Sequence, residues 1–289
     1  MSEQTTRIGE HSQTLCSNKY SLTPSEIFAR DKERPVAEKL LTGIRKLDSG
    51  LYKDTMRRGH VVLTIADSGH GKTQFALFEA AALLNNGYKI GWFQLEDYDT
   101  VTANYLQDNV SKNLDHAYIC HRLYDIDAIK QEAQELKNQH GVDVLYFDYV
   151  QNIEANRQSR SDQVEYISQQ ITRMAKDLNV VARPLSQVTI PYNHREGWQQ
   201  EPRYGDVRWS QQLKQDAHAI ISIFRPSKDD NLILSKDKVK NWNGDPVPYD
   251  SVFAKQVKVR GGKQQHTRLH LIHNAKGLGI YKDTNNTVK

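Results

Sequence analysis

The chain has 289 residues, of which 38% are hydrophobic and 26% charged, with a net charge of +4. That length suits one large α/β core plus a small extra segment, and the mild positive excess permits a polyanion partner without arguing for one. No apolar run approaches the ~18 residues of a membrane span, and the N-terminal stretch lacks the apolar segment of a secretory signal. Cys16 and Cys120 are the only cysteines, too few for a disulfide framework or a four-ligand zinc site, which points to a reducing cytoplasm.

Residues 1–22 are polar and aperiodic and read as an arm. Thr23-Pro24-Ser25-Glu26 is a helix start: Thr23 caps, Pro24 suits the first helical position and Glu26 completes a capping box. A short helix over 24–33 is expected, carrying Ile27, Phe28 and Ala29, and packed on its own core or on a neighbouring subunit. The domain division expected is an arm and linker helix over 1–40 and a core over 41–289.

From Leu41 strands and helices alternate. Val61–Ile65 reads as a buried strand, and Gln74–Leu84 as a buried helix stopped by Asn85-Asn86-Gly87. Ile90–Gln94 and Val142–Phe147 are further strands, the latter ending at Asp148. Ser161–Leu178 is amphipathic, with Val164, Ile167, Ile171, Met174, Ala175 and Leu178 on one face. A strand begins at Val180-Val181, where Arg183-Pro184 is expected to interrupt it or force a bulge, since proline lacks a ladder donor. Ala219–Phe224 is a strand, residues 226–254 read as an extended insertion, and Lys255–Arg260 with Arg268–His273 read as a hairpin around Gly261-Gly262. The pattern predicts an α/β fold: a largely parallel sheet with helices on both faces and a C-terminal hairpin.

The chemistry concentrates in Ala66-Asp67-Ser68-Gly69-His70-Gly71-Lys72-Thr73-Gln74, between a predicted strand and a predicted helix. This matches the phosphate-loop pattern G-x-x-x-x-G-K-[ST] except that Ala66 replaces the first glycine. The backbone N–H groups of Ser68, Gly69, His70, Gly71, Lys72, Thr73 and Gln74 would cradle phosphates. Lys72 would reach the β- and γ-phosphates and the Thr73 hydroxyl would ligate Mg²⁺. Asp148, ending an apolar strand, is the second expected Mg²⁺ residue. Glu96, just after the strand ending at Gln94, is the candidate base for an attacking water, with Asp97 as its competitor. Gln187, after Leu185-Ser186, could sense the γ-phosphate. The pairs His116/His121 and His270/His273 lack a carboxylate or cysteine at ligand spacing and read as structural or surface residues.

Set in order, Gly71-Lys72-Thr73, Leu95-Glu96, Phe147-Asp148-Tyr149 and Leu185-Ser186-Gln187 resemble the RecA-like motor domain of DnaB-type replicative helicases, including bacteriophage ring helicases. Leu41-Thr42-Gly43-Ile44-Arg45-Lys46-Leu47-Asp48 resembles that family's entry to its first core strand. Asp206-Val207-Arg208-Trp209-Ser210-Gln211 through Asp216-Ala217-His218 is similar to its D-L-R-x-S…Q-D-A-D stretch. Lys258-Val259-Arg260-Gly261-Gly262 is similar to a late K-x-R-x-G. The resemblance spans roughly 40–275.

The resemblance implies ATP or another NTP with Mg²⁺, a hexameric homo-oligomer, single-stranded DNA as partner, and a primase or other replication proteins as further partners. It implies that Lys258 and Arg260 face the nucleotide of an adjacent subunit, with Arg260 as an arginine finger. It also implies that Asp206, Arg208, Trp209 and Gln211 lie in a DNA-gripping channel loop. The family's large N-terminal domain has no expected counterpart. A RecA-like recombinase filament and a regulatory or loader ATPase are the alternative readings. The first predicts filaments rather than rings, and the second predicts slow hydrolysis that single-stranded DNA barely affects.

Overall fold

The computed structural model describes residues 23–26, 29, 38–53, 55–96, 99–188, 195–207, 211–262, 264 and 268–280. The chain divides into two compact units, residues 1–37 and 38–289. In the first unit the Thr23 capping box is formed. The Glu26 carboxylate accepts from Thr23 N at 2.7 Å, and Thr23 Oγ1 accepts from Glu26 N at 3.3 Å. The expected arm over 1–22, and Ile27, Phe28 and residues 30–33 of the expected helix, lie outside the described residues. The second unit starts three residues before the expected boundary at 41. Lys39 already bridges to Arg57, and Leu40, wholly buried, donates its N–H to Met56 O.

In the second unit the strands are β1 (Val62–Ala66), β2 (Ile90–Gln94), β3 (Ala117–His121), β4 (Val144–Asp148), β5 (Val181–Gln187) and β6 (Ala219–Phe224). They continue with β7 (Ile233–Ser235), β8 (Lys238–Lys240), β9 (Pro246–Pro248), β10 (Ser251–Val259), β11 (Leu269–Asn274) and β12 (Gly277–Ile280). The helices are α1 (Lys72–Asn85), α2 (Asp99–Asn109), α3 (Ile126–His140), α4 (Arg160–Asp177) and α5 (Gln211–Asp216). Among the described residues the strands form a nine-stranded sheet, ordered β12-β11-β10-β6-β1-β5-β4-β2-β3, and a separate small sheet β7-β8-β9. The six strands from β6 to β3 in that order run parallel, and β10, β11 and β12 pair antiparallel.

Successive residues of a strand point to opposite faces, so each strand feeds two cores. Val62, Trp92, Tyr146, Val181 and Ile221 pack with α1 and α2 side chains such as Phe75 and Leu106. Leu63, Phe93, Phe147, Ala182 and Ile220 pack on the other face with Ile129 of α3, Ile171 of α4 and Leu213 of α5. Helices therefore cover both faces, as the alternation of elements predicts. α1 has little amphipathic contrast because both its sides are covered, and Gly87, at φ +93°, ends it after Asn86.

β5 runs through Arg183-Pro184 without the expected interruption. Ala182 N donates to His60 O and Val188 N donates to Ala66 O, so the even-numbered residues of β5 point their N–H groups at β1. Pro184 occupies the slot facing Val62 O and has no N–H to give. The Arg183 guanidinium supplies the missing donor, with Nη1 bonded to Val62 O. The same guanidinium pairs with Glu79 of α1 and bonds Thr64 Oγ1 at 3.0 Å, all in the interior.

One further expectation is corrected, in the hairpin. The 226–254 insertion, whose sequence carries charges and turn residues, folds into 3₁₀ turns and the β7-β8-β9 sheet, and its last residues open β10. The connection of β10 and β11 contains Gly261-Gly262, but among the described residues these strands pair at Ser251–Ala254 with Leu269–Ile272. Lys255 to Val259 pair instead with β6, across a register shift between Gln256 and Lys258.

Candidate nucleotide site

β1, β2, β4, β5 and β6 all end at the same edge of the sheet, and the loops leaving those ends build a cavity of about 250 Å³. This is the edge at which open parallel sheets hold ligands. Its walls are Asp67, Ser68, Gly69, Gly71, Lys72, Thr73, Gln74, Glu96, Gln187 and Arg225. The loop 67–71 turns through Gly69 at φ +72° and Gly71 at φ +92°, backbone settings open to glycine at little cost. Ala66 stays buried at the end of β1, and its carbonyl is used by Val188 N. The missing glycine of the pattern is therefore absorbed within the sheet.

Lys72 opens α1 and projects between two carboxylates, 3.9 Å from Glu96 and 3.9 Å from Asp148, with its amine 4.3 Å from the Tyr149 ring centre. The Asp148 side chain is buried, while Glu96 is 43% exposed and open to the cavity. Asp97, its expected competitor, lies outside the described residues. Gln151 holds the end of β5 by donating to Ser186 Oγ at 2.9 Å and Gln187 O at 2.8 Å, which fixes Gln187 beside the loop. The Thr73 hydroxyl and the Asp148 carboxylate are hard oxygen donors suited to Mg²⁺. Among the described residues no group of three or more His, Cys, Asp or Glu side chains converges as a metal site.

His70, expected among the phosphate-cradling residues, turns inward. Its Nδ1 accepts from Arg225 N at 3.1 Å, its backbone N–H donates to Asp67 O, and its ring lies 5.4 Å from Phe224. Burial pushes its pKa down to about 4, so the ring is neutral near pH 7. Arg225 and Asp67 are cavity residues that the sequence reading did not select. The signal for Arg225 was present: it directly follows an apolar strand parallel to the loop strand, at the same edge.

Lys258 and Arg260 are not at this cavity. β10 is antiparallel to β6, with Phe253 opposite Phe224 near the cavity and Val259 opposite Ala219 at the other end, about 17 Å away along the strand. There Lys258 Nζ donates to the carbonyls of Lys214 and Gln215 at 2.7 Å each, and Arg260 also bonds Gln215 O. Both cations thus cap the C-terminus of α5. Burial and the neighbouring Arg260 push the Lys258 amine down to about 8. Behind them His218 stacks on His60 with ring centres 3.9 Å apart, and its Nδ1 accepts from Val61 N.

Of the expected DNA residues, Arg208 and Trp209 lie outside the described residues, and Gln211 is exposed at the start of α5. Asp206, expected in a DNA-gripping channel loop, is internal. It is 4% exposed and grips Arg195 through both oxygens, at 2.7 and 2.9 Å, and Arg203 N at 2.8 Å. Burial alone would raise its carboxyl, but Arg195 and the Arg203 N–H outweigh burial and hold it below the usual range.

A parallel sheet with a glycine-bearing loop between β1 and α1, a carboxylate ending β4 and another just beyond β2 defines a phosphate-loop α/β core. Residues 102–274 match the DnaB-like helicase C terminal domain, and the chain belongs to that family. It is 26% identical over 220 residues to a probable plasmid replicative DNA helicase of Chlamydia psittaci, covering 64% of this chain and 46% of that protein. It is 31% identical over 102 residues to the replicative DNA helicase DnaB of Rickettsia prowazekii, 35% of this chain and 21% of that one. The chain therefore spans less than half the length of these relatives. Its fold is similar to that of a solved ATPase domain, with a TM-score of 0.68 and 21% identity over 89% of this chain and 96% of that one. A DnaB-like replicative helicase, described with its interactions with primase, gives a TM-score of 0.67 and 22% identity over 86% of this chain and 65% of that one. Among the described residues no helix is long and apolar enough to cross a membrane.

Proposed function

We infer that this chain is the motor of a cytoplasmic ring helicase. It hydrolyses ATP between neighbouring copies, in a hexamer, and moves on single-stranded DNA during replication. The observation that carries this reading is the division of the cationic groups. Lys72 lines the cavity with Glu96 and Gln187, whereas Lys258 and Arg260 sit at the opposite end of β10. A chain built this way holds a nucleotide with one edge and offers an arginine to a neighbour's nucleotide with the other.

In this reading the amides of the 68–74 loop and the start of α1 bind the phosphates, and Lys72 leaves Glu96 and Asp148 to meet them. Thr73 and Asp148 hold Mg²⁺, which neutralises phosphate charge when bound. Glu96, released from Lys72 and facing the cavity, orients a water and accepts its proton. Gln187 reads the γ-phosphate from the end of β5. Arg260, with Lys258, leaves the carbonyls of α5 to stabilise the neighbour's transferring phosphoryl group. The segment 206–211 serves the DNA: Arg208 pairs with phosphate and Trp209 offers a stacking face, while Asp206 shapes the loop through Arg195. The Thr23-capped helix docks on the next copy, and a primase is the expected replication partner.

The test is strand separation of a forked duplex with ATP and Mg²⁺, beside Lys72→Ala. Separation by the unaltered chain alone supports the motor. ATP hydrolysis that single-stranded DNA leaves unchanged, with no separation, moves the reading to a loader ATPase. Filaments in place of rings move it to a recombinase.

A further inference from the structure

The turn after β6 places a cation against the phosphate loop from outside it. Arg225-Pro226-Ser227-Lys228 closes as a single 3₁₀ turn over Pro226–Lys228, with Pro226 at its first position and Lys228 N bonded to Arg225 O at 3.1 Å. The turn is pinned on both sides. Arg225 bonds Asp250 at 3.0 Å and Ser227 Oγ at 3.1 Å, and Asp229 accepts from Gly197 N at 2.6 Å and Asn231 N at 2.8 Å. So held, Lys228 lies across Gly69. A Cβ added to Gly69 would stand 3.3 Å from Lys228 Nζ and 3.4 Å from its Cε. The side chain that glycine lacks is the space the lysine uses.

The charges nearby say what this lysine can serve. The cavity holds the acids Asp67 and Glu96, and Lys72 is shared between Glu96 and Asp148. Lys228 is exposed, and among the described residues its ammonium forms no ion pair. A bound polyphosphate brings more negative charge than Lys72 alone can meet; the Arg225 guanidinium in the cavity wall is tied to Asp250, and Lys228 Nζ stands against Gly69 of the loop.

We propose that Lys228 is a second phosphate-contacting cation of the loop, supplied in cis by the turn after β6. This rests on the nucleotide-binding reading above. It gives the 226–250 segment a role: the folded turn and the small sheet behind it hold a charge over the loop. The preference it creates is ranked by ligand charge, greatest for a nucleoside triphosphate, smaller for a diphosphate and negligible for a monophosphate.

Calorimetric titration of the full chain with ATP, ADP and AMP tests this, using the wild type, Lys72→Ala, Lys228→Met and Lys228→Arg. If the wild type fails to bind ATP, the nucleotide reading falls and the proposal with it. Where the wild type binds and Lys72→Ala does not, Lys228→Met is expected to bind ATP about tenfold more weakly. Its loss for ADP is expected to be smaller, AMP is expected to be unaffected, and Lys228→Arg is expected to restore most ATP affinity. Unchanged ATP affinity in Lys228→Met overturns the proposal. So does an equal loss across all three nucleotides, which would mark a displaced loop rather than a lost phosphate contact.

Discussion

Arg183 and Glu79 form an ion pair with neither side chain exposed: Nε and Nη2 donate to the two carboxylate oxygens at 2.7 and 2.8 Å. Glu79 also accepts from Tyr146 Oη at 2.6 Å and from Tyr52 Oη, so one carboxylate satisfies three buried side chains. A pair removed from water adds little net stability while intact, but removing one partner strands the other. Glu79→Ala is expected to lose about 3–5 kcal/mol in urea unfolding. Glu79→Ala with Arg183→Ala should lose less than the sum of the two single changes, and a double variant as unstable as that sum would show the two residues to be uncoupled.

Lys72 and Glu96 should separate binding from chemistry. Lys72→Ala is expected to abolish ATP binding, because it removes the cation that meets the phosphates. Glu96→Gln is expected to bind ATP normally while hydrolysis falls about 10²–10⁴-fold. Equilibrium titration and phosphate release, measured side by side, check both.

The far placement of Arg260 predicts complementation between chains. Arg260→Ala is expected to lower hydrolysis by about 10³–10⁵-fold without weakening ATP binding. Mixed with Lys72→Ala, it should regain part of the activity, since an intact cavity of one copy can meet an intact Arg260 of the other. Full hydrolysis by Arg260→Ala alone would remove the arginine from the chemistry.

Two histidines predict a pH dependence with a definite sign. Burial lowers His70 to about 4 and His218 to about 3, the latter helped by His60 and Arg260, against an ordinary value near 6.5. Below about 6.5 the unfolded chain therefore binds protons that the folded chain does not, so their contribution is complete above that pH and is lost as pH falls toward 3. The melting temperature should decline over that window, and His218→Asn should make the decline shallower. An identical slope in the variant would place the proton uptake elsewhere.

Much of the site could be read from the order of residues, because it depends on local chemistry. Gly71-Lys72-Thr73 after an apolar strand, and Asp148 ending another, mean the same thing in sequence and in space. Ile90–Gln94 matches β2 residue for residue, since an apolar run before a glutamine and an acid has few other readings. What escaped depends on neighbours far along the chain. Arg183-Pro184 reads as a break because a proline removes a donor, and only the folded sheet shows the preceding arginine replacing it at Val62. The burial of Asp206 has no local signal because its partner Arg195 comes from a different loop. β7, β8 and β9 are three residues each, too short for alternation to register, and Ser251–Ala254 join β10 only because β6 and β11 flank them.

β10 is about 30 Å long and has a different job at each end. At one end Asp250 holds Arg225 at the rim of the chain's own cavity, and at the other stand the two cations proposed to serve a neighbour. In a closed ring this makes the strand a strut between consecutive cavities. If copies close into the proposed ring, occupancy of one cavity and readiness of the next would be mechanically linked through a single backbone, with no separate messenger between them.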